Sequence, residues 1–391
     1  MPNHWWNRKR IAVYTGAILL LQLAVLAIGM QKADIVATDF RIFRAGAGLA
    51  FQGQAAAAYD PQALFAAMQQ STSGVLKPNP AYRWFYPPGF LLLLMPLAVL
   101  PLIAAYAAWT MAGLAAVFAV LRRILPQGGF ILPALAFFPL FHTVVVGQNA
   151  LLTAACAGGG MLLMERRPWL AACCFAALSA KPHLFILLPV LLACSGTWRL
   201  LFMTAGVAAA ANLLAIAILG PGLLPEFLHS LAAARQLAES GDLPAVRMPT
   251  VFAMLRLAGA GSVAALASHA AVALLAVAVA CTVWRKGPDI ALKAAVFMLA
   301  TLMLSPHLFE YDLTWFGMAL AWLASHCRRH GWPNGMRTTL AAAWLFPLLS
   351  EISSQLLHLQ AMPLLLVALL LVIFRLAALR RQRECAATAS T

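Results

Sequence analysis

Charge is scarce in this chain. Of its 391 residues only 10% are charged and 63% are hydrophobic, and the 12 acids are outnumbered by 27 Lys plus Arg. A soluble domain of this length needs a more polar surface, so a globular cytosolic enzyme is excluded. Cysteine is present but misplaced for cross-linking. Five of the seven lie inside hydrophobic runs, and Cys327 and Cys385 lie beside basic clusters, so no disulfide framework is suggested. A small-x-small cleavage site is missing between the first hydrophobic run, residues 11–30, and "QKAD". That run therefore reads as an uncleaved anchor rather than a removed signal peptide.

What is present is a series of apolar runs of membrane-spanning character. The net charge of +15 would suit a nucleic-acid partner, but the basic residues sit in short clusters between those runs. They are "NRKR" at 7–10, Arg122–Arg123, Arg166–Arg167, Arg199, "WRKG" at 284–287, Arg328–Arg329, Arg337 and "RLAALRRQR" at 375–383. This is the pattern of cytoplasmic loops, and no nucleic-acid partner is expected. With the N-terminus inside, residues 31–85 form a first external loop and 220–261 a second. Spans fall near 130–146, 148–164, 168–180, 182–198, 200–219, 262–283, 290–304, 311–325, 338–357 and 361–379.

Residues 86–121 are long enough for two helices, yet the charges require an odd number of crossings there. Pro96 and Pro101 mark a broken or re-entrant segment. The expected architecture is all-α: one integral membrane domain over residues 1–391, with about twelve spans. Asp34, Asp39, Asp60, Glu226, Glu239, Asp242, Glu310 and Asp312 fall on the external side, Glu165, Asp289 and Glu384 inside, and Glu351 in a span.

Five stretches carry candidate chemistry. In "TDFRIFRAGAGLAFQG", Phe40, Phe43, Ala47 and Ala50 form one apolar stripe of a helix suited to lie on the membrane surface. Thr38 is its expected N-cap, with Asp39 in the first turn, where the dipole favours an anion. "RWFYPPGF" at 83–90 reads as interfacial aromatic anchoring, with Arg83 and Tyr86 as substrate-binding candidates. In "VVVGQNALL", Gln148 and Asn149 cap a helix end or bind sugar hydroxyls.

"SAKPHLFILLP" sets Lys181 between two short apolar runs. An ammonium near the membrane is a functional hypothesis by default, and a lipid phosphate is its natural partner. "SPHLFEYD" brings His307, Glu310, Tyr311 and Asp312 to the same side, and Glu310 and Asp312 would keep His307 protonated. No recognisable metal-ligand set accompanies His307, and no metal or cofactor is expected.

Taken in order, "TDFRIFRAGAGLAFQG" with "AYD" (58–60), "FYPPGFLLLLMPLAVLP", "GQNALL", "ALSAKPHLFILLPVLL" and "SPHLFEYD" resemble glycosyltransferase family 87. Members of that family are polyprenyl-phosphate-mannose-dependent mannosyltransferases of the multi-pass glycosyltransferase C-superfamily. The resemblance covers residue 38 to about 325. It implies a sugar donor carried on a polyprenyl phosphate, a glycan or glycolipid acceptor, and a catalytic aspartate matching Asp39. It also implies short juxtamembrane helices at 39–53 and 60–70, and makes Lys181 and His307 matches for groups facing the donor phosphate. The place implied is the bacterial inner membrane, with the site facing the periplasm. Phe43 and Ala47 stand where such proteins often carry a tyrosine and other polar residues, which touches acceptor specificity more than reaction type. A transporter or flippase of lipid-linked sugars is the alternative, but it calls for paired repeats with matching broken helices, and none is evident.

Overall fold

The computed structural model describes residues 7–32, 36–70, 82–287 and 289–389; Asp34 lies outside them. Among the described residues there is no strand. Nineteen α-helices follow one another: α1 Arg8–Lys32, α2 Thr38–Phe51, α3 Pro61–Gln70, α4 Pro88–Leu94, α5 Leu102–Ile124, α6 Ile131–Leu135, α7 Phe138–Val146, α8 Ala150–Leu163, α9 Pro168–Ala177 and α10 Pro182–Phe185. Then come α11 Leu187–Cys194, α12 Trp198–Leu219, α13 Leu223–Ser240, α14 Val251–Leu257, α15 Ser262–Lys286, α16 Ile290–Thr301, α17 Thr314–His330, α18 Met336–Leu357 and α19 Met362–Ala389.

Six of these, α1, α5, α12, α15, α18 and α19, are long and apolar enough to cross a membrane. The other apolar stretches among the described residues are shorter helices of 10–17 residues, so six helices there, rather than about twelve, reach full spanning length. Among the short ones Leu93 of α4, Trp169 of α9 and Val190 of α11 are exposed, but α16 is enclosed by protein. In α16 nearly every side chain from Ala291 to Thr301 is buried, as expected of a helix that is apolar all round and wrapped by its neighbours. Such a helix can begin and end inside protein, where neighbouring groups rather than lipid meet its ends.

The parity problem at residues 86–121 has a structural answer. The stretch contains one long helix, α5. The segment before it is only α4 and a 3₁₀ turn, Met95–Val99, which contains Pro96. Arg44 of α2 donates to the carbonyls of Ala98 and Leu100 at 2.8 and 3.0 Å, tying this broken segment to the side of α2. The basic ends also gather. Arg8 and Arg328 both bond Gln127, through its main-chain carbonyl and its side-chain oxygen respectively.

Helix α2 corrects two expectations. Its apolar stripe faces protein, not a membrane surface. Phe40, Phe43, Ala47 and Ala50 are buried, and the Phe43 ring meets Trp84, Tyr86, Phe90 and Trp109 at centroid distances of 5.3–6.3 Å. Trp84, Tyr86 and Phe90 of "RWFYPPGF" are thus core rather than belt, and burying them together stabilises α2 more than a lipid surface would. Gly46 permits this, since a side chain there would collide with the Trp84 ring. The N-cap is not Thr38 but Ala37, in the left-handed region at φ 57°.

Candidate active site

Ala37 adopts its unusual conformation where its amide donates to the Val145 carbonyl of α7 at 2.7 Å. The N-terminus of α2 is thereby docked on the end of α7. Gly147, at φ 76°, ends α7, and any side chain on it would strike Phe40 and Tyr106. This close turn delivers Gln148 to Asp39. The Gln148 side-chain nitrogen donates to Asp39 Oδ2 at 3.1 Å, while its oxygen accepts from the Asn149 amide at 2.9 Å. The second bond fixes which end of the amide faces the carboxylate.

Tyr86 stands over the same amide. Its carbonyl, just before Pro87, accepts from Trp84 Nε1 at 3.0 Å and from the Tyr59 hydroxyl at 2.9 Å, which sets the backbone. Its own hydroxyl lies 3.4 Å from both polar atoms of the Gln148 side chain. Burial, and the Asp39 and Asp312 charges, push the Tyr86 phenol well up, so it stays a neutral hydroxyl. Next to it, Asn149 is buried, and both polar atoms of its side chain lack a partner among the described residues.

The far wall comes from the 3₁₀ turn Glu310–Leu313 that leads into α17. Glu310 Oε1 receives Arg247 through Nη2 at 2.6 Å and Nε at 2.7 Å, with His142 Nε2 at 3.0 Å. Asp312 Oδ1 receives Lys181 Nζ at 2.7 Å, and His183 lies 3.6 Å from Oδ2. The Lys181 ammonium also sits 4.6 Å from the centre of the Tyr311 ring.

These partners separate the three carboxyl groups. Burial pushes Glu310 up, but His142 and Arg247 outweigh it and hold the group below its usual value. Burial likewise pushes Asp312 up, and Lys181 and His183 outweigh it and hold the group below its usual value. Asp39 has no ion pair among the described residues. Burial raises it, Arg247 and the Gln148 amide only partly offset that, and the nearby Glu310 charge pushes it up further. Two acids are therefore clamped as anions, and one is left with raised proton affinity, which is how a pair of roles is assigned to similar groups.

The candidates from sequence divide accordingly. Asp39, Gln148 and Tyr86 meet directly, and Asn149 adjoins them. Lys181 is present but not free: its charge is held by buried Asp312, a partner the sequence reading did not assign. Arg83 is half-buried, three residues before Tyr86. His307 does not behave as expected. Its ring packs edge-on to Phe252 at 5.1 Å, and burial followed by the neighbouring His269 hold it below its usual value. Glu310 and Asp312 cannot keep it protonated, because each is already taken by other cations.

Arg247 and His142 were missed. The only sequence signal for Arg247 was a lone arginine in an external loop, in "LPAVRMPT". A possible metal-ligand group, Asp289, His326 and His330, has its donor atoms within 4.8 Å of one another, but it belongs to the basic end of α17, and Arg329 also binds Asp289 at 3.3 Å.

The sequence profile of glycosyltransferase family 87 matches residues 84–306, more than half of the chain. The matched region contains Tyr86, His142, Gln148, Lys181 and Arg247, while Asp39, Glu310 and Asp312 flank it. No curated protein and no solved structure matches the chain. With a buried polar site at one end of an apolar helical body and this match across its middle, the chain belongs to glycosyltransferase family 87 and is a membrane glycosyltransferase.

Proposed function

We propose that this glycosyltransferase moves a hexose, mannose by family resemblance, from a polyprenyl-phosphate donor to a glycan or glycolipid acceptor with inversion at the anomeric carbon. Asp39 is the general base. The observation that carries this reading is the contrast among the three carboxyl groups. Of the three, Asp39 alone has no ion pair among the described residues and has raised proton affinity, and the groups that hold it, the Gln148 amide and the Thr38 hydroxyl at 3.5 Å, are neutral.

The chemistry asks for little more. The acceptor hydroxyl gives its proton to Asp39 as its oxygen bonds the anomeric carbon. The bond from that carbon to the phosphate oxygen breaks, and its electron pair leaves on polyprenyl phosphate. A single displacement forms no covalent intermediate, so no second nucleophilic carboxylate is required. An alkyl phosphate is already a weak base and needs positive charge rather than a proton.

Arg247, partly exposed and electrostatically coupled to Asp39, is the cation assigned to the leaving phosphate. Lys181, committed to Asp312, fixes the wall. The Asn149 side chain, without a partner among the described residues, and the neutral Tyr86 hydroxyl suit sugar hydroxyls. We assign Asp39 to the exterior, the periplasmic face of a bacterial inner membrane, on the positive-inside reading of the basic clusters. The test is a purified-protein assay with labelled polyprenyl-phosphate mannose. Release of polyprenyl phosphate with transfer of label supports the reading; transfer only from a nucleotide sugar contradicts it.

A further inference from the structure

A second large feature runs along α17 from the site's wall to the basic end. A cavity of about 900 Å³ runs between α1, α5, α6, α7, α17 and α18. Its walls are almost wholly apolar, and no acidic side chain lines it. Arg8, Arg328 and Arg337 sit at one end and Thr314 at the other. Thr314 and Arg328 begin and nearly end α17, so the cavity extends about 21 Å along that helix, at 1.5 Å per residue. That exceeds the roughly 15 Å hydrocarbon depth of one leaflet.

Among the described residues the recorded partners of the three guanidinium groups are neutral. Arg8 and Arg328 bond Gln127 at 3.4 and 2.9 Å, and Arg337 lies 5.1 Å from the centre of the Trp332 ring. None has an ion pair among the described residues. Three uncompensated cations at the mouth of a greasy slot match one kind of molecule: a phosphate head on a hydrocarbon tail. Helix α1 needs such a filler. Its spanning stretch is only 11% buried by protein, and midway along it Gln22 donates to the Ala136 carbonyl at 2.9 Å.

We propose that this cavity binds an anionic phospholipid of the leaflet on the basic face, its phosphate held by Arg8, Arg328 and Arg337 and its acyl chain lying along α17, where it joins α1 to the body. The charge pattern selects the head group: an anionic phosphodiester offsets one of the three arginine charges, whereas a zwitterionic head brings its own ammonium into the cluster and offsets none. The proposal is independent of the donor assigned above.

The test uses delipidated, detergent-purified full-length protein, with phosphatidylglycerol, phosphatidylcholine and polyprenyl phosphate as probes in native mass spectrometry and thermal melting. Phosphatidylglycerol should bind at least ten-fold more tightly than phosphatidylcholine and raise the melting temperature. The triple variant Arg8→Gln, Arg328→Gln, Arg337→Gln should lose that preference. Ala341→Trp, which fills the cavity and keeps the charges, should also block binding, so the proposal does not depend on the triple variant folding. Equal binding of both phospholipids, or undiminished phosphatidylglycerol binding in Ala341→Trp, overturns it. So does displacement of phosphatidylglycerol by polyprenyl phosphate, which would give the cavity to the donor chain.

Discussion

Gln148 and Asp39 stand 109 positions apart in the chain, and the side-chain amide of one donates to the carboxylate of the other at 3.1 Å. The contact exists because α2 docks on the turn between α7 and α8. It holds the base in one orientation without neutralising it, as a paired cation would. Gln148→Ala should lower kcat by roughly ten- to hundred-fold, the worth of a hydrogen bond to a charged group at about 1.5–3 kcal/mol. Steady-state kinetics on the purified variant check this, and unchanged turnover would remove Gln148 from the site.

The two clamped acids differ in how much their partners matter to folding. Lys181 and Asp312 are both buried, so Lys181→Ala strands an anion and should destabilise the protein by about 3–5 kcal/mol, with Lys181→Arg restoring part of the loss. Arg247 is 37% exposed, so solvent screens its pair with Glu310, and Arg247→Ala should cost only about 1–3 kcal/mol. Its main effect should fall on donor affinity. Melting curves and donor-binding titrations on both variants separate the roles. Equal donor-affinity losses without a stability difference would contradict the division.

Activity should rise with pH through a carboxyl group that titrates above the ordinary aspartate range. The sign follows from the role: a base works deprotonated, and burial raises the pH at which Asp39 gives up its proton. The Gln148 amide opposes that rise, so Gln148→Ala should move the acid limb of kcat/KM higher still. A limb at the ordinary aspartate pH, or one that Gln148→Ala leaves in place, would contradict the assignment.

Much of the fold was legible because hydrophobic runs and basic clusters are local signals. The runs at 11–30, 200–219, 262–283, 338–357 and 361–379 correspond to α1, α12, α15, α18 and α19. What the apolar pattern could not reveal was which segments are wrapped by protein. Helix α16 and the α4 segment are greasy yet short, and α2's stripe looks the same whether it meets lipid or Trp84. The site was half legible. Asp39 and Gln148 each stood out as polar groups at run ends, but their pairing needed the fold. Arg247 reaches Glu310 across 63 positions and Lys181 reaches Asp312 across 131, distances over which no periodicity reports contact. His307 misled for the opposite reason. It is close to two acids in sequence, but the 3₁₀ turn after Phe309 sends them toward Arg247 and Lys181 while His307 packs on Phe252.

The most direct measurement is turnover of Asp39→Asn with polyprenyl-phosphate mannose and a lipid-extract acceptor, alongside donor affinity and melting temperature. Asparagine keeps the shape and still offers an oxygen to Gln148, but it cannot take a proton. Transfer should fall by at least roughly a hundred-fold, the lower end of what a positioned base contributes, with donor affinity and stability close to the parent. Near-parental turnover in a folded Asp39→Asn protein would contradict the account at its centre.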